Sequence, residues 1–205
     1  MVGCDFEVVS RFADVGLPLP ERKTEFSAGY DLIAAEDIVI PSMFVMMEEV
    51  LENISFKLEP NEFITLETMT ELTKQAGYRP TLISTGMKCK LPEGYYLELS
   101  VRSSTPLKNW IVLANGVGII DADYYNNPGN EGEIFLQVIN FSPFYLQVKK
   151  GDAIGQGIIK PYCTVEHDVH GGERTGRIGS TSNCQFSLLI RPLAQAAGLY
   201  LKIRN

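Results

Sequence analysis

Residues 81 to 101 read TLISTGMKCKLPEGYYLELSV, two apolar and β-branched runs parted by Pro92, Glu93 and Gly94. Proline cannot donate to a strand ladder, and glycine reaches turn conformations without steric cost, so the pair marks a reversal between two strands. The same punctuation extends outward from this stretch. FEVVSRF, DLIAA and DIVI before Pro41 precede it, and WIVLA, GEIFLQVINF, FYLQV before Lys149 and DAIGQGIIK before Pro161 follow it. Short runs bounded by Gly, Pro, Asn or Lys pairs predict a mainly β fold, a barrel or jelly-roll-like sandwich, and not alternating βα units.

One segment departs from this pattern. From Ser42 to about Ile54 the apolar residues Met43, Met47, Val50, Leu51 and Ile54 recur with the spacing of an amphipathic helix. Thr68-Met69-Thr70-Glu71 has the spacing of a capping box, so a second helix is expected to run from there to Gly77, before Pro80. Residues 41 to 80 therefore read as a small α-helical insertion in a β domain spanning 1 to 183. The stretch HGGERTGRIGSTSN, 170 to 183, is too poor in apolar residues to pack and reads as a glycine-rich arm. Residues 184 to 205 form a C-terminal tail that is apolar again but interrupted by Arg191-Pro192.

Bulk properties exclude several function classes. A chain of 205 residues is long enough for one sizeable core with an elaboration, and short for two domains. A net charge of -7 argues against a broad grip on nucleic acid, which needs clustered Lys and Arg. A small phosphate-bearing ligand remains compatible, because a few local cations suffice. Cys4, Cys89, Cys163 and Cys184 form no CxxC pair, so neither a zinc ribbon nor a dithiol site is expected. His167 and His170 stand beside Gly171 and Gly172, where a solvated loop is the simpler reading than a metal site. MVGCDFEVVSRF lacks a long apolar signal region, and no stretch approaches the ~20 apolar residues of a membrane span. The expected location is the cytoplasm, or the host cytoplasm for a viral chain.

Five separated stretches carry complementary chemistry: AGYDLIA at 28 to 34, VRSSTPLKN at 101 to 109, NGVGIIDADYYNN at 115 to 127, GDAIGQGI at 151 to 158 and RTGRIGSTS at 174 to 182. Arg102 offers a planar fork of donors suited to phosphate, with the hydroxyls of Ser103 and Ser104 beside it. Gly179, Ser180 and Thr181 can form a nest of backbone N–H groups for an anion, with Arg174 just upstream. Asp31, Asp121 and Asp123 suit a hydrated divalent cation or a polarised water, although Asp31 and Asp123 are equally at home in turns. Gly116 and Gly118 let backbone approach a flat ligand and also suit a tight hairpin. These parts fit a triphosphate with Mg²⁺ and a base.

In this order and spacing the five stretches resemble the motifs of the trimeric dUTPase family, across roughly residues 28 to 182. The resemblance implies a distorted jelly-roll subunit in a homotrimer with three shared active sites. It also implies hydrolysis of dUTP to dUMP and pyrophosphate, with Mg²⁺ held chiefly by the triphosphate and water. By the same resemblance, backbone groups near Gly118 and the side chain of Asn115 receive uracil, and Tyr124 packs on the deoxyribose. Asp121 is similar to the aspartate that activates the attacking water, Asp31 to the one that supports the hydrated metal. Arg102, Ser103, Ser104 and Gln156 would bind phosphate, and the arm with Arg174, Ile178, Gly179, Ser180 and Thr181 would close over the substrate.

The sequence departs from the family pattern at two places. Ile178 stands where a Phe usually covers uracil, with Arg177 where Gly is usual, and the chain continues through 184 to 205. Two rivals follow from the same reading. A dCTP deaminase shares the fold and an arginine-serine-serine stretch, but the D-A-D-Y after the glycines offers no glutamate for attack at the pyrimidine C4. The other rival is a regulatory trimer whose insertion at 41 to 80 binds a protein partner.

Overall fold

The computed structural model describes residues 3–55, 79–170 and 172. The expected second helix, nearly all of the glycine-rich arm and the C-terminal tail lie outside the described residues. The chain enters as β1 (Asp5–Val8) and continues through β2 (Tyr30–Ile33), β3 (Ile38–Ile40), α1 (Met43–Ser55), β4 (Thr81–Ser84), β5 (Met87–Lys90) and β6 (Tyr95–Ser100). Then follow α2 (Ser104–Asn109), β7 (Ile111–Leu113), β8 (Gly118–Ile120), β9 (Phe135–Asn140), β10 (Leu146–Val148) and β11 (Ala153–Pro161).

Two sheets carry the architecture. One has the order β2-β11-β6-β8 and the other β4-β9-β7, with the pairs β1-β5 and β10-β3 flanking them. All of these strand pairings are antiparallel. Alternation sets the inner faces: Leu97 and Leu99 of β6 and Leu136 and Val138 of β9 are buried, while their neighbours along each strand are less so. The two sheets meet closely at β11. A Cβ on Gly155 would lie 2.6 Å from Leu136 Cδ1 and 2.9 Å from the Ser100 carbonyl, and one on Gly157 would lie 2.9 Å from Leu97 Cδ1. Real side chains essentially never approach so near, so glycine at both positions lets the core leucines seat against the β11 backbone.

Several expected strands change course for identifiable reasons. TLISTGMKCKL, read as one strand, splits into β4 and β5, because Gly86 takes φ +66 and turns the chain out of one sheet and into another pair. FEVVSRF extends only through β1. The Val9 N–H donates to the Gly86 carbonyl at 2.9 Å, and Ser10–Val15 then coil into a 3-10 helix that buries Phe12. GEIFLQVINF becomes strand only from Phe135, since Gly132 and Glu133 belong to a compact loop. The expected hairpin at 113 to 120 is a tight turn, with Gly116 at φ +70, but β7 ladders with β9 and β8 with β6. The turn therefore passes from one sheet to the other.

The first insertion helix forms where its spacing indicates. The buried Ser42 hydroxyl accepts from the N–H groups of Phe44 and Val45, which caps α1, and it donates to the Ser142 carbonyl at 2.6 Å. The helix turns Met43 and Met46 to a cleft with Pro80 and Ile139. Met47, expected in the apolar stripe, is half exposed. No helix among the described residues is long and apolar enough to cross a membrane.

Candidate active site

Strand register brings three polar residues into one row. β11 pairs Gln156 with Asp31 of β2 on one side and with Ser100 of β6 on the other. Adjacent in-register residues share a face, and the Gln156 Nε2 donates to the Ser100 hydroxyl at 3.2 Å. Gly29 makes room for this arrangement, because a Cβ there would lie 2.5 Å from Gln156 Oε1. The glycine before Tyr30 is thus needed for space, a role that AGYD alone does not reveal.

Just beyond β6, Arg102 folds back over the row. Its Nε lies 3.3 Å from Asp31 Oδ1, and the Asp31 side chain is 10% exposed against 36% for Arg102. Asp31 Oδ2 is fully enclosed and has no hydrogen-bond partner among the described residues. A buried carboxylate with an unsatisfied oxygen is an acceptor for an ordered donor. Beside it runs a cleft of about 370 Å³, lined in part by Glu21, Lys23, Asp31 and Lys150. The Glu21 carboxylate holds the Lys23 ammonium by a hydrogen bond that raises its pKa. Neither lysine was singled out by the sequence, since neither falls in a glycine-rich stretch. Ser103 and Ser104 begin the short helix α2, with Ser103 exposed.

The second half of the predicted site lies elsewhere on the protein. Asn115 is exposed in the turn between sheets. Gly118 is buried, and a Cβ there would lie 2.9 Å from Leu99 Cβ, which gives this glycine a packing role as well. Asp121 is exposed at the start of the 3-10 turn Ala122–Tyr124, and the Tyr124 N–H donates to the Asp121 carbonyl at 3.1 Å. Tyr124 is 3% exposed, so its ring is packed into the protein and does not protrude as a lid. Its hydroxyl donates to the Glu133 carbonyl at 3.1 Å.

The β6-β8 ladder fixes how these halves relate. It pairs Leu97 with Ile120 and Leu99 with Gly118, so Asp121 leaves one end of the ladder and Arg102 the other. Along β6 from Tyr96, the residue after the last pair toward Asp121, to Ser100, in the row beneath Arg102, the ladder spans roughly 13 Å at ~3.3 Å per residue. Arg174, Ile178, Gly179, Ser180 and Thr181 lie outside the described residues. Among the described residues no three His, Cys, Asp or Glu side chains cluster as a metal cage, and His167 and His170 are exposed.

Fold and site together define a two-sheet β protein that presents an Asp-Gln-Ser row under a guanidinium, with a separate acid at the far end of the sheet. Comparison with known proteins gives the family. The family model described as dUTPase matches residues 65–182. The deoxyuridine 5'-triphosphate nucleotidohydrolase of Lactococcus lactis is 37% identical over 178 residues, covering 86% of this chain and 95% of that protein. The crystal structure of dUTPase from Streptococcus mutans superposes with a TM-score of 0.58 at 32% identity, over 78% of this chain and 98% of that one. A mutant dUTPase of Staphylococcus aureus phage phi11, which coordinates a structural Mg(II) ion, shares the fold with a TM-score of 0.52 at 21% identity, over 83% and 97%. The chain belongs to the dUTPase family.

Proposed function

We propose that this protein hydrolyses dUTP to dUMP and pyrophosphate. The observation that carries the reading is the row Asp31, Gln156 and Ser100 with Arg102 above it, in a chain of this family. The guanidinium of Arg102, the amide of Gln156 and the hydroxyls of Ser103 and Ser104 bind phosphoryl oxygens and offset the charge that builds on them during attack at the α-phosphorus. Asp121 acts as general base, taking a proton from a water held within hydrogen-bond reach. Uracil is received at Asn115 and the backbone near Gly118, where cytosine would present the wrong donors and thymine an extra methyl. Tyr124 lies against the deoxyribose and leaves no room for a 2′-hydroxyl.

The residues present fit a hydrated Mg²⁺ at one point. Asp31 Oδ2 is an acceptor that a metal-bound water would satisfy, the metal itself being held mainly by the triphosphate and water. Bound there, Mg²⁺ supplies neutralisation of phosphoryl charge.

The separation of Asp121 from the phosphate row, roughly 13 Å along β6, is the observation that favours a shared site, since the base must reach a water at the α-phosphorus while the cation grips neighbouring phosphates. In the proposed homotrimer one subunit supplies Asn115, Asp121 and Tyr124 and a neighbour supplies the phosphate row, with Arg174, Gly179, Ser180 and Thr181 completing the pocket and Ile178 over the base.

Pyrophosphate release measured separately with dUTP, dCTP, dTTP and UTP tests the reading. Turnover of dUTP alone is expected, and preference for dCTP or inertness toward dUTP would overturn it. In the same assay Asp121→Asn retains nucleotide binding and lowers kcat by about 10² or more.

A further inference from the structure

Behind Tyr124 lies a polar knot whose parts have no assigned role. Residues Tyr125 to Glu133 fold into a compact loop in which Asn126 and Glu131 take φ 56 and 60 and Gly132 takes φ 79. Two asparagines hold it together. Asn127, 5% exposed, accepts at Oδ1 from the N–H groups of Gly129 and Asn130 at 2.9 and 3.2 Å, and donates from Nδ2 to the Tyr124 carbonyl at 3.0 Å. Asn130 Oδ1 accepts from Asn127 Nδ2 at 2.8 Å and from the Gly132 N–H at 3.3 Å. Its Nδ2 donates to the Tyr124 hydroxyl at 2.8 Å and to the Glu133 carbonyl at 3.3 Å.

The Tyr124 hydroxyl is therefore engaged twice, as donor to the Glu133 carbonyl and as acceptor from Asn130. The loop also closes from the main chain, since a Cβ on Gly132 would lie 2.5 Å from the Tyr124 carbonyl. A ring fixed at its hydroxyl, its carbonyl and its packed faces cannot retreat when a substituent presses on it. Steric selection depends on that resistance, because a wall that yields by a few tenths of an ångström admits the larger ligand.

We infer that Asn130 is a positioning residue for sugar selection, acting through the Tyr124 hydroxyl to hold the ring as an unyielding wall against a ribose 2′-OH. The inference rests on the proposed dUTP site and adds a residue that touches no part of the nucleotide.

The test is a steady-state comparison of dUTP with UTP in wild type, Asn130→Asp, Tyr124→Phe and the double variant. Asn130→Asp is isosteric and keeps the Oδ1 acceptor for Asn127 and Gly132, but replaces the donor to Tyr124 with a second acceptor. It should lower the dUTP:UTP ratio of kcat/KM by about fivefold, the worth of one net hydrogen bond, through KM and not through kcat for dUTP. Tyr124→Phe gives up both bonds of the hydroxyl and should lower the ratio at least as far, and the double variant should fall no further than Tyr124→Phe alone, since the contact from Asn130 is already absent from it. Equal losses for both nucleotides, or effects that multiply in the double variant, would assign Asn130 a purely structural role and overturn the inference. If Asn130→Asp does not fold, Asn130→Ser, whose short side chain gives up the bond to the Tyr124 hydroxyl, takes its place, and an unchanged ratio in it is fatal. A wild-type protein inert toward dUTP removes the proposed function and this inference together, whereas selective wild-type turnover with an unaltered ratio in the variants removes the inference only.

Discussion

Replacing Arg102 by Met should destabilise the subunit as well as disable it, and the size of the loss can be worked from the ion pair. The Asp31 side chain is 10% exposed and pairs with Arg102 at 3.3 Å. Its other oxygen is enclosed without a hydrogen-bond partner among the described residues. Truncating one member of a fully buried pair costs ~3 to 5 kcal/mol, because it strands a charge in low dielectric. Exposed pairs contribute only about 0 to 1 kcal/mol. With Arg102 itself 36% exposed, solvent screens part of the loss, and about 2 kcal/mol is the reasoned middle. For a chain of this size that corresponds to a fall in Tm of roughly 4 to 8 °C. Thermal melts at fixed protein concentration read it, the concentration being held because any assembly adds its own mass-action term. One internal check separates the stranded charge from lost packing. Asp31→Asn combined with Arg102→Met should recover most of the stability. A single variant that melts like wild type, or a double variant no better than the single, would refute the reasoning.

Gly29→Ala places a Cβ 2.5 Å from Gln156 Oε1, so the amide must leave its bond to Ser100; KM for dUTP should rise several-fold with little change in Tm, and an unaltered KM would detach Gln156 from phosphate binding. Burial pushes the Cys89 thiol up to about 12 while Cys163 is exposed, so iodoacetamide near pH 8 should alkylate Cys163 and spare Cys89 until guanidinium unfolds the chain, as peptide mass spectrometry reads. Replacing residues 43 to 78 with a short turn, with Ser42 kept for its bond to the Ser142 carbonyl, should preserve folding and dUTP hydrolysis, because β3 and β4 each ladder with a strand outside the insertion; insoluble protein would show that the insertion belongs to the core.

The strands and the first helix were legible because their signals are local. Alternation in YYLELSV reflects burial on one face, which the fold then uses, and the spacing after Ser42 marks a helix that forms from Met43 although Met47 of its stripe stays half exposed. What could not be read is where a run changes partners. TLISTGMKCKL keeps its apolar pattern across Gly86, so only the positive φ of that glycine in the folded chain reveals two strands in different sheets. The turn at Gly116 was recognisable, but its crossing between sheets depends on the long-range pairings of β7 with β9 and β8 with β6. Of the site, Asp31, Arg102 and Gln156 do converge. Ser100, Lys23 and Lys150 were missed, being ordinary strand and loop residues until register gives them neighbours. Asn127 and Asn130 read as turn chemistry, which they are, and their hold on Tyr124 appears only in three dimensions.

The glycines of β11 carry a consequence for how the protein matures. Gly155 and Gly157 turn toward Leu136 and Leu97, and Gln156 between them turns toward the polar row. If β11 slipped by one residue during folding, the amide of Gln156 would be driven against two leucines of zero exposure, and a glycine would take its place beside Asp31 and Ser100. The wrong pairing is thus both sterically penalised and chemically silent. The register that seats both glycines against the leucines is therefore also the one that builds the polar row, so packing and row are assembled in a single pairing event.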